Sequence, residues 1–193
     1  MGGLFARLLL SALIALPVYA LVRFLYLRTK KKPWAWPREL ILCLFVVFMV
    51  GLLALVFQPA TNYNVNSGAS IPTVFQRFAS WQDINLIPFT TIAGYFTAGL
   101  DTRFVVNIVA NVLMFSPLGF CLPLLWRRWQ SALKTIGLGL GFSVLIECTQ
   151  LFIGRSVDVD DVILNTLGVA IGYGLYALFR KKLPKALALP TAP

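Results

Sequence analysis

The sequence predicts an all-α, polytopic membrane protein with about five transmembrane helices and one further helix that is interfacial or re-entrant. Three observations carry this expectation. Hydrophobic residues make up 59% of the 193 positions and charged residues only 12%, where soluble domains run at about 25% charged. The apolar residues are gathered into five runs of spanning length. The basic residues fall in short blocks at the ends of those runs, as cytoplasmic flanks do under the positive-inside rule.

The first run, Leu4 to Leu27, is interrupted by Arg7, Pro17 and Arg23. Val18-Tyr-Ala20 resembles a signal-peptide cleavage site, but Arg23, Arg28, Lys30, Lys31, Lys32 and Arg38 follow the run and one arginine precedes it. That is the reverse of a signal's charge order, so the run reads as a span. The second, Leu40 to Phe57, holds 18 uncharged residues, about 27 Å of helix and enough to cross a bilayer core.

From Pro59 to Thr102 the chain is mixed. Its later part, Ile84 to Leu100, is moderately apolar but carries Asn85, Pro88, Gly94 and several threonines, which suits an interfacial or re-entrant helix packed on protein. The third span is Arg103 to Trp126, with a kink expected at Pro117, where the bond to the carbonyl of Leu113 is lost. The fourth is Ser131 to Ile153 and the fifth Val162 to Phe179. The organisation follows: residues 1–83 hold two spans, a basic inner loop and the start of the outer loop; 184–193 form a disordered tail; 84–183 form a helical core.

Thirteen of the seventeen Lys and Arg lie in the three regions that alternate as inner loops. The expected topology is therefore multi-pass in the cytoplasmic (inner) membrane, amino terminus outside and carboxyl terminus inside. A net charge of +10 placed in this way speaks for anionic lipid headgroups and against nucleic acid. Cys43, Cys121 and Cys148 have no metal-ligand spacing, and the absence of histidine removes the commonest general base and zinc ligand. The sequence does not identify a cofactor.

Four of the seven acidic residues fall between Glu147 and Asp161. Ionisable groups near membrane depth are costly and are functional candidates by default. Helical spacing puts Asp161, Asn165, Gly168 and Gly172 on one face of span five, Glu147, Gln150 and Gly154 on one face of span four, and Arg103, Asn107 and Asn111 on one face of span three. In the expected topology the three polar stripes lie at similar depth and converge on one outward-opening pocket.

Plainer roles compete with each assignment. Asn107, Asn111, Asn165 and Gln150 suit interhelical hydrogen bonds worth roughly 0.6–2 kcal/mol. Gly168 and Gly172 suit close packing, and Asp158 and Asp160 suit the cap and first turn of span five. A carboxylate two turns inside the helix end must be protonated or paired. Arg155 or Arg103 is the expected partner of Glu147, in a pair that either staples helices or serves a site.

As chemistry, Glu147, Asp161 and Arg155 form the candidate reactive group, with Glu147 as general acid or base. Arg155 and Arg103 offer a bidentate grip on phosphate or carboxylate. Asn107, Asn111, Gln150, Asp158, Asp160 and Asn165 complete a binding shell. Asp158, Asp160 and Asp161 with Glu147 also offer oxygen ligands to a hard cation, but capping explains part of that spacing and no metal is assigned.

These residues carry a resemblance. Asn85-Leu-Ile-Pro-Phe89, Asn107-x-x-x-Asn111 followed by Phe115-Ser-Pro-Leu-Gly119, Glu147-x-x-Gln150, and Gly154-Arg155-x-x-Asp158-x-Asp160-Asp161-x-x-x-Asn165-x-x-Gly168-x-x-x-Gly172-Tyr173 together resemble the VanZ-like membrane family over about residues 84 to 176. That family takes its name from a protein associated with reduced sensitivity to teicoplanin, a glycopeptide acting on cell-wall precursors at the outer membrane face. The resemblance implies a cell-envelope role, with membrane lipids and a lipid-linked or anionic envelope substrate as partners. It supplies no reaction. The alternatives are a small proton-coupled transporter, using Glu147 and Asp161 as a relay, and a non-enzymatic membrane scaffold.

Overall fold

The computed structural model describes residues 2–31, 35–57, 84–97, 102–153 and 155–182. Helix α1 spans Gly2–Lys30, α2 Trp36–Val56, α3 Thr90–Thr97, α4 Thr102–Leu125, α5 Ala132–Phe152 and α6 Val159–Phe179. Two short strands, β1 (Ile84–Asn85) and β2 (Val157–Asp158), precede α3 and α6 and pair in parallel, Ile84 opposite Val157 and Asn85 opposite Asp158. Five of the helices are long and apolar enough to cross a membrane. Among the described residues the fold is all-α apart from this one strand pair.

Each boundary has a local cause. Pro37 sits in the first turn of α2, where its missing N–H would have had no helical partner anyway. Helix α4 contains Pro117 and Pro123. The carbonyl of Leu113, freed by Pro117, accepts the hydroxyl of Ser116 at 3.1 Å, which keeps the freed group satisfied at membrane depth. A single 3-10 turn, Arg127–Trp129, then reverses the chain into α5. Asp158 caps α6, its side chain accepting from Asp160 N at 2.9 Å, so this helix starts three residues before the apolar run that announces it.

Helix α4 is the centre of the bundle, packing most extensively on α6 and also on α2 and α5. Phe115, Leu118, Leu122 and Leu125 of α4 meet Leu42, Phe45 and Leu52 of α2, Ile146 of α5 and Val169 of α6 in one buried cluster. The α4–α6 contact is backbone to backbone: a Cβ added at Gly168 would overlap the main chain of Val112, and one at Gly172 that of Ser116. With hydrocarbon on all sides, such close approach, rather than escape from water, holds helices together.

Helix α1 packs chiefly on α2. The pair is pinned by Arg23, whose Nε and Nη2 reach Glu39 Oε2 and Oε1 at 2.6 and 2.7 Å. The bidentate geometry neutralises both charges inside the apolar region.

Residues 84–97 do not form a span. Helix α3 has eight residues, about 12 Å, and the tip before it, Leu86 to Phe89, is exposed and apolar. Such a tip suits the membrane interface.

Candidate functional site

The chain ends that carry the polar stripes meet at one end of the bundle: the carboxyl ends of α2 and α5, the amino ends of α4 and α6, and the β1–α3 segment. Their meeting is held together by carboxylates. Asp158 is the hub. Its Oδ1 accepts Asn85 Nδ2 at 3.0 Å as well as Asp160 N, and its Oδ2 accepts Thr91 Oγ1 at 2.5 Å. Asn85 Nδ2 also donates to Thr91 Oγ1, and Asn85 Oδ1 accepts Ile87 N in a local turn.

Asp160, 1% exposed, turns the other way. Its Oδ1 and Oδ2 accept Phe89 N and Ile92 N at 2.5 and 3.0 Å, the N–H groups that begin α3. Phe89 occupies the capping position with φ of 66° and brings no side-chain acceptor, so an aspartate from α6 caps α3 instead.

Glu147 on α5 is 5% exposed, and its Oε2 accepts Asp158 N at 3.0 Å. Asp161, Asp158 and Arg155 all lie close enough to act on it electrostatically. Asp161 accepts Asn111 Nδ2 at 2.7 Å, which ties span three to span five, as the Glu147 bond ties span four to the start of span five. Arg155 directs Nη1 to the carbonyls of Leu55 and Val56 at 3.3 and 3.5 Å, a cation at the negative end of α2. Its own N–H bonds the Gln150 carbonyl at 3.0 Å, closing α5.

The other predicted residues lie further along the same helices. Gln150 is buried beside Glu147 on α5, and Asn107 is half-buried one turn before Asn111 on α4. Asn165, 4% exposed, sits deeper, its Nδ2 donating to Ser143 Oγ at 2.9 Å while its Oδ1 meets no donor among the described residues. Arg103 falls in the first turn of α4, and its side chain lies outside the described residues. Sequence reasoning did not single out Asn85 or Thr91 as site partners, or Ser143 at all. Helical periodicity offers no signal for a contact between segments about seventy residues apart.

Among the described residues no group of three or more His, Cys, Asp or Glu side chains is placed to share a metal ion. The reason is visible: both oxygens of Asp158 and of Asp160 are taken by protein donors that lie in different directions.

Beside Glu147 opens a cleft of about 310 Å³ between α5, the β1–β2 pair and the start of α6. Ile84, Leu86, Val144, Leu151, Val157 and Val162 form its walls, and Glu147 and Asp158 are the acidic groups that reach it. Two larger grooves, of about 420 and 470 Å³, flank α1. Their charged groups are the mutually neutralised Arg23 and Glu39, so the chemistry points to the smaller cleft.

Over 59 residues, 31% of this chain, the sequence is 30% identical to an uncharacterized membrane protein, YwnJ, of Bacillus subtilis (strain 168). The match spans 42% of that relative's own length, well under two thirds. No solved structure matches. The sequence profile of the VanZ/LLP1 family matches residues 41–180, a stretch that runs from within α2 to the end of α6 and includes every residue of the cluster, and the chain belongs to the VanZ/LLP1 family.

Proposed function

We propose that this protein binds or modifies an envelope lipid or a lipid-linked cell-wall precursor, through a polar pocket opening toward the outer face of the cytoplasmic membrane. The observation that carries this reading is the convergence of buried Glu147 with Asp161, Asp158 and Arg155 beside a cleft, at the end of the bundle away from the basic loops. In this reading Glu147 is the general acid or base. Asp161, oriented by Asn111, shares its proton traffic. Arg155 and Arg103 attract the anionic group of the substrate. Asn107, Gln150 and Asn165 line the approach, and Asp158 and Asp160 position the β1–α3 segment that roofs it.

Two further points support a pocket open to one side. The basic residues Arg127, Arg128, Lys134, Arg180, Lys181 and Lys182 all lie at the opposite end, as an inner face would require. Below Asn165, fully buried Val169 packs its methyl groups against Gly139 and interrupts the polar stripe of α5. The family's association with teicoplanin sensitivity fits a substrate among wall precursors or envelope lipids.

The test expresses the wild type and Glu147→Gln at equal membrane levels in a teicoplanin-susceptible bacterium and profiles extracted lipids and wall precursors by mass spectrometry. The wild type should shift the abundance of at least one anionic lipid or lipid-linked precursor, and Glu147→Gln should restore the host's profile. A correctly inserted Glu147→Gln protein that still gives the wild-type profile removes the acid/base assignment.

A further inference from the structure

We infer that the cleft between α5 and the β1–β2 pair is a hydrocarbon-chain subsite, which takes one acyl chain of a bilayer lipid from the side and seats it with its polar end toward Glu147 and Arg155. The inference rests on the reading of the Glu147 pocket as a lipid site and specifies which part of the lipid goes where.

The walls decide the chemistry. Val144 and Leu151 of α5 face Leu86, Val157 and Val162 across the cleft, and none of these side chains can hydrogen-bond a sugar or a phosphate. Both oxygens of Asp158 are engaged by Asn85, Thr91 and Asp160 N. Asp158 therefore reaches the cleft without an acceptor left to organise a polar ligand there. Glu147 differs in having one carboxylate oxygen, Oε2, held by Asp158 N, from the strand end that closes the cleft. The cleft is thus almost wholly apolar in its exposed lining, which Cys148 and Val159 complete, with Glu147 and Asp158 at its border.

Size and placement choose the occupant. At about 310 Å³ the cleft lies at the small end of ligand pockets, which run at roughly 300–1,000 Å³. It suits a chain segment better than a bulky headgroup. Apolar cavities hold water poorly, so the space is filled from whatever apolar medium it opens to. One wall belongs to α5, a helix long and apolar enough to span the membrane, and Val144 in that wall is 44% exposed. The adjoining medium is the bilayer, so the occupant is a lipid chain entering between α5 and the strand pair. A headgroup attached to that chain would then lie toward Arg155, on the polar side of the cluster.

The experiment uses the full-length protein in nanodiscs of phosphatidylcholine and phosphatidylglycerol, with part of the phosphatidylglycerol carrying a diazirine on one acyl chain. After irradiation and digestion, adducts are mapped by mass spectrometry. Adducts per residue should be several-fold enriched at positions 144–151 and 157–162 over Leu175 and Leu178 of α6, which are exposed at least as much as Val144. Val144→Trp, a change at a partly exposed position, should remove that enrichment. Labelling that simply follows exposure along all the spans would overturn the subsite, and the wild-type map alone decides this even if the variant folds poorly.

The two readings fail separately. A cleft-enriched map with a Glu147→Gln protein that keeps the wild-type lipid profile leaves the chain subsite standing and removes the acid/base role. A flat map with a Glu147-dependent profile does the reverse.

Discussion

Asp160 is almost wholly shielded from solvent and belongs to α6 by sequence, yet its carboxylate completes a different helix, accepting Phe89 N and Ile92 N at the start of α3. An eight-residue helix is marginal by itself, and its first N–H groups need partners. Replacing Asp160 by Ala leaves both donors unpaired. Hydrogen bonds to a charged group are worth about 1.5–3 kcal/mol each, so losing two, Asp160→Ala should cost about 3–6 kcal/mol of stability, with Asp160→Asn losing less because one acceptor oxygen remains. Thermal unfolding in detergent would measure the loss, and faster amide exchange confined to Ile92–Gly94 in the native state would locate it. Unchanged exchange there would show that α3 does not depend on this cap. The sequence makes part of this legible. Capping by Asp158 follows from its place before an apolar run, and the convergence of Glu147, Asp161 and Asn111 follows from helical spacing. That Asp158 and Asp160 grip Asn85, Thr91 and the start of α3 does not, because periodicity places residues on a face of their own helix and says nothing about which distant loop comes to that face.

The same distinction governs whole elements. The apolar runs mark where the five spans lie to within a few residues. The exceptions have physical causes: α1 continues to Lys30 and α2 begins at Trp36 because Arg23 and Glu39 neutralise one another between the two helices, so neither charge ends its helix. At Pro117 helix α4 runs on, with Ser116 bonding the freed carbonyl. The strand pair was not legible, two residues on each side being too few to leave an alternating pattern. Packing positions are easier to read than their partners. Gly168 and Gly172 announce a close approach by their four-residue spacing, and only the structure names Val112 and Ser116 as what they approach. Gly172→Ala should therefore force α4 and α6 apart, costing about 3 kcal/mol or more, at the upper end for overpacking. Gly174, where nothing lies within 4 Å of an added Cβ, is the control: Gly174→Ala should be neutral or stabilise by up to about 1 kcal/mol through helix propensity. Equal melting temperatures for the two variants would mean that the α4–α6 contact yields without loss.

Across the molecule, charge is segregated along the bundle axis. The end that gathers Glu147, Asp158, Asp160 and Asp161 carries Arg155, which is engaged with the α2 terminus. The other end carries Arg28, Lys30, Lys31, Arg38, Arg127, Arg128, Lys134, Arg180, Lys181 and Lys182, with Glu39 there paired to Arg23. Side-chain bonds tie that basic end into one face: Arg38 reaches the Leu125 carbonyl at 3.5 Å, and Tyr173 reaches that of Gln130 at 2.6 Å. Because the bundle holds its acidic and basic ends apart, the orientation of a single loop orients everything else, the pocket included. The positive-inside rule predicts that the basic end is cytoplasmic. Ser156, exposed in the connection between α5 and α6, is the place to ask. With Cys43, Cys121 and Cys148 replaced, Ser156→Cys should react promptly with a membrane-impermeant maleimide on intact cells, while Lys134→Cys at the other end should react only after the membrane is opened. The reverse pattern would put Glu147 and its neighbours on the cytoplasmic side. Wall precursors displayed outside would then be beyond reach, and the substrate would have to be sought among lipids and anions of the inner leaflet. The acyl-chain cleft would stand under either result, since it opens sideways into the bilayer and depends on depth rather than on which face is outside.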